Sequence, residues 1–124
     1  MLVTPQSLVR LEFSAQQYLR DTLGFRVESV PFVDFGRMPY FLQEAFEFRQ
    51  LRLNGEPVFL AIERGTKARL GTLRTQLAKA KTILDGPIVY VVTSLASYER
   101  KRLIEQKVPF IVPGNQMYLP DLGI

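Results

Sequence analysis

The 124-residue sequence predicts one α/β domain, built on a mixed β-sheet that is flanked by helices. An Asn-Gly pair joins two stretches rich in strand-forming residues, which is typical of an antiparallel hairpin. After this hairpin, amphipathic helices alternate with short apolar runs, which is typical of parallel strands joined by right-handed crossovers. The two patterns together predict a sheet with both strand directions.

The chain opens with a predicted helix that ends before Gly24. Thr4 is a good N-cap residue, and Pro5 suits the first helical position because its missing N–H would be unpaired there. Gly24 can close the helix in a left-handed conformation. The apolar residues that keep helical spacing are Leu8, Leu11, Ala15, Tyr18, Leu19 and Leu23.

An extended segment follows at residues 25–35, with apolar residues interleaved with polar ones. Pro31 cannot donate a hydrogen bond within a central strand, so we expect a bend or an edge position. Residues 36–45 leave two alternatives, a loop or a short helical turn.

The hairpin reads FEFRQLRLNGEPVFLAIE. Phe46 and Phe48 alternate with charged residues, and the apolar positions then change phase at Gln50, which predicts a β-bulge. Asn54-Gly55 suits a two-residue type I′ turn. The second strand is apolar on both faces, so we expect it at the centre of the sheet.

The remaining chain contains two helices and two strands in alternation. The predicted elements are a helix from Thr66 to Leu84, closed by Asp85-Gly86, a strand over residues 88–92, a helix capped by Ser94 or Ser97 and ending at Lys107, and a strand over residues 108–112. Residues 116–119 can lie back across the sheet edge or a helix.

The predicted order αβββαβαβ resembles the restriction-endonuclease-like core. In the catalytic members of that group, the hairpin strands carry an acidic residue and a Glu/Asp-any-Lys triplet, which hold Mg²⁺ and position water. Here Glu63 has Gly65 two positions later, so the triplet is incomplete. We therefore expect no catalytic centre. The alternative is a divergent Mg²⁺-dependent nuclease that uses Glu47, Glu63 and Lys67.

A second candidate is a row of basic residues on the helix after the hairpin. Lys67, Arg74 and Lys81 recur every seven residues and therefore share one helix face, with Arg64 nearby. Such a row can neutralise DNA phosphates. The alternative is a solvated face whose long side chains cover the apolar stripe beside it.

A third candidate is aromatic. Phenylalanines and tyrosines are concentrated between the first helix and the hairpin, and most of them suit a core. Tyr40 and Phe41 follow Pro39 in a loop-like context, so we expect them to be exposed and to line a pocket or contact a partner.

Composition excludes several chemistries. The sequence has no cysteine and no histidine, which excludes disulfides, thiol catalysis, Ser-His triads and most transition-metal sites in these residues. We expect no cofactor and no bound metal. The net charge of +4 mildly favours a polyanionic partner such as DNA. No apolar run has the length of a membrane helix, so we expect a cytoplasmic protein without membrane contact.

The last stretch reads SYERKRLIEQKVPFIVPGNQMYLPDLGI, and its prolines and apolar residues suit a docked segment. With PYFLQEAFEFRQLRLNGEPVFL, it resembles the N-terminal region of bacterial winged-helix transcriptional regulators of the MarR type. The resemblance covers most of residues 39–124 and implies a longer polypeptide, in which residues 1–124 precede a DNA-binding winged helix. It implies DNA as partner, mainly through that missing segment. It transfers no catalytic residue. A homodimer contact is a further expectation.

Overall fold

The fold is an α/β arrangement of a six-stranded mixed sheet and four α-helices, in a computed structural model that describes residues 5–33, 35–64 and 70–122. The helices are α1 Pro5–Leu23, α2 Tyr40–Ala45, α3 Leu70–Lys81 and α4 Ser97–Glu105. The strands are β1 Val27–Val30, β2 Phe46–Leu53, β3 Glu56–Glu63, β4 Ile88–Val91, β5 Phe110–Val112 and β6 Gln116–Tyr118. The predicted α/β class and mixed sheet are confirmed.

The strands lie in the sheet in the order in which they occur along the chain. Strands β1, β2 and β3 are antiparallel neighbours, β4 and β5 run parallel to β3, and β6 is antiparallel to β5. Strand β1 lies at one edge and ends before Pro31, as expected. At the other edge, β6 confirms that the segment after the last predicted strand lies back on the sheet.

The hairpin has no bulge. Its pairing runs without interruption from Phe46 opposite Glu63 to Leu53 opposite Glu56, so the bulge predicted at Gln50 is wrong. The apolar phase changes because β2 is buried on both faces: Phe46 and Phe48 pack in one core cluster, and the later leucines pack in the other. The turn residues both have positive φ, 51° for Asn54 and 89° for Gly55, as a type I′ turn requires.

Helices cover both faces of the sheet. On one face α1 packs through Leu8, Ala15 and Leu19. On the other face α2, α3 and α4 contribute Leu42, Leu73, Leu77, Ala80 and Leu103. The central strand β3 is buried on both faces, which confirms the position predicted from its apolar sequence.

Three helix boundaries differ from the prediction. Helix α3 ends at Lys81 rather than Leu84, and helix α4 ends at Glu105 rather than Lys107. Ala96, not a serine, precedes α4, and its N–H donates to the carboxylate of Glu99 at 2.8 Å, so the predicted caps Ser94 and Ser97 are wrong. Glu99 thus supplies one half of a capping box, whereas a serine cap would have accepted from a backbone N–H inside the first turn. The predicted starts at Thr4 and Thr66 lie outside the described residues. Residues 40–45 adopt the short helical alternative.

Candidate functional site

The open end of the hairpin, where β2 begins and β3 ends, holds the two carboxylates of the nuclease alternative. Glu47 lies opposite Ile62 in the register, and Glu63 lies opposite Phe46. Side chains alternate between the two faces of a sheet along each strand. Glu47 therefore projects from the α1 face with Ile62, and Glu63 projects from the α3 and α4 face with Phe46. The structure places the two acids close in the backbone but on opposite faces.

On the α1 face, Glu47 is held by two arginines. The guanidinium groups of Arg49 and Arg64 donate to its two carboxylate oxygens. Arg49 also donates through Nε to Oε1 of Glu12 at 3.0 Å, which ties α1 to β2. Only 15% of the Glu47 side chain and 34% of each arginine side chain are exposed. We name these four side chains, Glu12, Glu47, Arg49 and Arg64, the ion network.

The ion network is fixed to the backbone of β2 as well. Arg64 donates through Nε to the Phe46 carbonyl at 3.1 Å, and Arg49 donates to the Phe48 carbonyl at 3.0 Å. Burial alone would lower the pKa of Arg49, but the hydrogen bond and charge of Glu47, then Glu12, raise it above its ordinary value. Both arginines thus donate hydrogen bonds to acceptors within the protein. Arg64, a predicted phosphate ligand, lies here and not on the helix face with Arg74.

On the opposite face, Glu63 lies in a buried polar cluster with Tyr90 and Glu99. The Tyr90 hydroxyl donates to the Glu63 carboxylate, and the tyrosine is 1% exposed. Glu63 and Glu99 are also buried. Burial raises the pKa of Tyr90, and the hydrogen bond to Glu63, the charge of Glu63 and the charge of Glu99 raise it further. The phenol therefore stays protonated and keeps donating throughout the physiological range.

The chemistry available at this end of the hairpin is limited by these contacts. In the described residues, no three acidic side chains are grouped so as to hold a metal ion. Lys67, the third member of the nuclease alternative, lies outside the described residues. A two-carboxylate Mg²⁺ site needs oxygens that converge on one point. Glu47 and Glu63 do not converge, and each is engaged by neighbouring side chains.

The basic face is partly described. Arg74 and Lys81 lie on α3, and both are exposed. Their separation of seven residues places them on one side of the helix, as predicted. Lys67 lies outside the described residues. The described part of this face therefore presents two cations to solvent.

Tyr40 and Phe41 form an exposed aromatic pair at the start of α2, 74% and 48% exposed. The Tyr40 hydroxyl bonds to Glu44 one turn later, and this hydrogen bond and the charge of Glu44 raise the pKa of the tyrosine. Leu42 is fully buried and anchors the helix. The pair is thus held on a short but anchored helix, which agrees with the expected exposure.

Sequence reasoning missed Tyr90 and Glu99. The available signal was one tyrosine in the otherwise aliphatic strand IVYV, because a buried phenol needs a hydrogen-bond acceptor. Its acceptor was not predictable, since Glu63 lies 27 residues earlier in the chain, at the end of another strand. In the described residues, no helix is both long and apolar enough to cross a bilayer. The chain matches no protein-family model, no curated protein and no solved structure.

Proposed function

We propose that this chain is a non-catalytic module of a bacterial transcriptional regulator, with an interaction, sensory or auxiliary DNA-contact role. In this proposal a winged-helix segment beyond residue 124 reads the DNA sequence, and the protein acts in the cytoplasm. Support for the regulator comes from the resemblance of most of residues 39–124 to MarR-type proteins. Support for the absence of catalysis comes from the structure of the hairpin.

The proposal includes a restriction-endonuclease-like topology. Its support is the order of strands: an antiparallel β1, β2 and β3, then a helix, then β4 parallel to β3. Helices on both faces agree with a three-layer arrangement. A shared topology carries no activity by itself, because activity depends on the residues of the site.

The observation that carries the non-catalytic role is the separation of Glu47 and Glu63 on opposite faces. A Mg²⁺ ion at this hairpin would have to compete with Arg49 and Arg64 for Glu47. On the other face it would have to displace the Tyr90 hydroxyl from Glu63. Uncoupling buried charged partners is costly, so these contacts favour structural roles for both acids.

A plasmid-nicking assay with Mg²⁺ or Mn²⁺ tests the absence of catalysis. We expect the wild-type protein to produce no more nicked plasmid than a protein-free sample. Glu63→Ala and the exposed control Glu105→Ala should give the same result. Metal-dependent nicking by the wild type that survives in Glu105→Ala and disappears in Glu63→Ala would establish the nuclease alternative instead.

The DNA-contact part of the proposal assigns phosphate contacts to Arg74 and Lys81. Affinity for duplex DNA should fall steeply as salt rises, and Arg74→Gln/Lys81→Gln should reduce the logarithmic salt slope by roughly 2. Lys101→Gln/Arg102→Gln, which removes two exposed cations from α4, is the matched control. An affinity that does not change with salt would contradict the proposed phosphate contacts.

For the exposed aromatic pair, Tyr40 and Phe41, the proposed use is a homodimer contact.

A further inference from the structure

A cavity of about 390 Å³ lies at the end of the sheet opposite to Glu63, where β3, β4 and β5 begin. We name it the proline cavity. Its floor includes Val58, Val89 and Leu119, which are buried and belong to the core cluster on the α1 face. Phe25, which lies between α1 and β1, also lines it. Apolar side chains from four parts of the chain therefore meet around one space.

Four prolines line the cavity and restrict its backbone. Pro57, Pro87 and Pro109 lie at or just before the starts of β3, β4 and β5, and Pro120 follows β6. Proline has a fixed φ and no N–H, so these positions offer no backbone donor and lose little freedom when a ligand binds. The walls are largely formed before any ligand arrives.

Gly86 brings two of these walls together. A Cβ atom at this position would lie 3.2 Å from the Phe59 ring and 3.3 Å from the Pro57 carbonyl oxygen. These contacts are tighter than ordinary ones, so a side chain here would require its neighbours to shift by a few tenths of an ångström. The next residue, Pro87, then accepts a hydrogen bond from the Phe59 N–H at 2.8 Å. The entry to β4 is thereby held against the entry to β3.

Among the described residues, two charged side chains line the cavity, and both are acidic. Glu56 and Asp121 are exposed, and they come from the start of β3 and the segment after β6. The nearby Arg26 is directed to Glu28, with Nε 3.4 Å from the carboxylate. An apolar space with two carboxylates on its rim is complementary to an apolar body that carries a positive charge, although the chain as a whole has a net charge of +4.

We propose, on the premise that the domain has the sensory role given above, that the proline cavity binds a small lipophilic cation. The apolar part of such a ligand contacts Val58, Val89 and Leu119 and is removed from water. Its amine or quaternary ammonium group lies at the rim beside Glu56 and Asp121. An anionic ligand of the same shape is disfavoured by both carboxylates.

Three probes that each carry a phenyl ring on a four-carbon chain test this charge preference: 4-phenylbutylamine, 4-phenylbutanol and 4-phenylbutyrate. Binding to the 124-residue protein is measured by ¹H–¹⁵N chemical-shift titration. We expect the amine to bind about fivefold more tightly than the alcohol, because two exposed ion pairs contribute roughly 1 kcal/mol together. The carboxylate should bind most weakly. The shifted amide signals should come from residues around Val58, Val89 and Leu119.

The variant Glu56→Gln/Asp121→Asn should lose the preference for the amine and keep the affinity for the alcohol. Asp21→Asn/Glu105→Gln removes two other exposed carboxylates and should keep the preference. Equal binding of amine and alcohol, tighter binding of the carboxylate, or no shifts with any probe at millimolar concentration would each overturn the proposal. The plasmid assay is independent of these titrations. Nicking activity together with intact amine binding would therefore contradict the non-catalytic role and leave the cation-binding proposal in place.

Discussion

The two ends of strand β3 differ in what they leave open to a ligand. At the Glu63 end, acidic side chains are engaged by arginines on one face and by a buried tyrosine on the other. At the Glu56 end, apolar side chains and prolines surround a cavity of about 390 Å³. Ligands of α/β sheets ordinarily bind beyond the carboxyl ends of the strands. Here the two acids at that end are engaged by the protein's own side chains, and the proline cavity lies at the other end. A second cavity, of about 530 Å³, borders the ion network at Glu12 and Arg49.

The largest expected effect comes from Glu47→Ala, which removes the centre of the ion network. Arg49 and Arg64 would keep their charges and lose their shared carboxylate. Removing one partner of a buried pair costs about 3–5 kcal/mol, and partial exposure of the arginines lowers this to about 2–3 kcal/mol. Urea denaturation measures the loss.

Glu44→Ala is the control for this prediction, because Glu44 is an exposed acid that bonds Tyr40 on the same short helix. Its effect on the free energy of unfolding should stay within about 0.5 kcal/mol. If the two variants have equal free energies of unfolding, the ion network does not stabilise the fold. Glu47 would then be held less firmly than its contacts indicate.

The next effect is that of Tyr90→Phe, which leaves the buried Glu63 carboxylate without its hydroxyl donor. Hydrogen bonds to charged groups contribute about 1.5–3 kcal/mol, so we expect a loss of about 2 kcal/mol at pH 7. The difference from wild type should depend on pH. Burial and Glu63 raise the pKa of Tyr90 in the folded state above the ordinary value of 10.0.

A raised folded pKa means that the unfolded chain loses this phenolic proton first. The contribution of Tyr90 is therefore complete below about pH 10 and falls by about 1.4 kcal/mol per pH unit above it. The stability gap between wild type and Tyr90→Phe should shrink between pH 9 and pH 11. A gap that stays constant to pH 11 would show that the phenol is not protected in the folded protein.

The smallest of these effects is that of Gly86→Ala at the proline cavity. The new Cβ would press on the Pro57 carbonyl and the buried Phe59 ring, so we expect a loss of about 1 kcal/mol. Gly71→Ala is the matched control, because its Cβ would meet no atom within 4 Å. On α3 that change should stabilise the protein by up to about 1 kcal/mol. If both variants change the free energy of unfolding in the same direction, the residues around Gly86 shift easily to make room for a side chain.

Local patterns in the sequence are sufficient for much of the fold. The Asn54-Gly55 turn, the edge position before Pro31 and the returning tail all follow from backbone restrictions that act within a few residues. The prediction of a bulge at Gln50 was wrong because a change of apolar phase has two possible causes, an inserted residue or burial of the strand on both faces. Only the register distinguishes them.

The position of Glu47 and Glu63 on opposite faces of the sheet could have been predicted from the sequence. With the turn at Asn54-Gly55, pairing places Glu63 opposite Phe46, and alternation then puts Glu47 on the other face. The partners of Glu47, which are Arg49 and Arg64, belong to the same hairpin region, but the buried partner of Glu63 was not predictable. Tyr90 and Glu99 come from distant elements, and the rim of the proline cavity depends on where the tail packs. Such contacts arise only from tertiary packing.

Titration of the ¹⁵N-labelled protein with Mn²⁺ tests the central claim, that Glu47 and Glu63 are structural acids and not metal ligands. Paramagnetic Mn²⁺ broadens amide signals near its binding site. We predict that the amides of Glu47, Glu63 and Tyr90 broaden no more than those near the exposed acids Asp85 and Glu105. Selective broadening at Glu47 and Glu63 at submillimolar Mn²⁺, abolished in Glu63→Ala, would contradict the account.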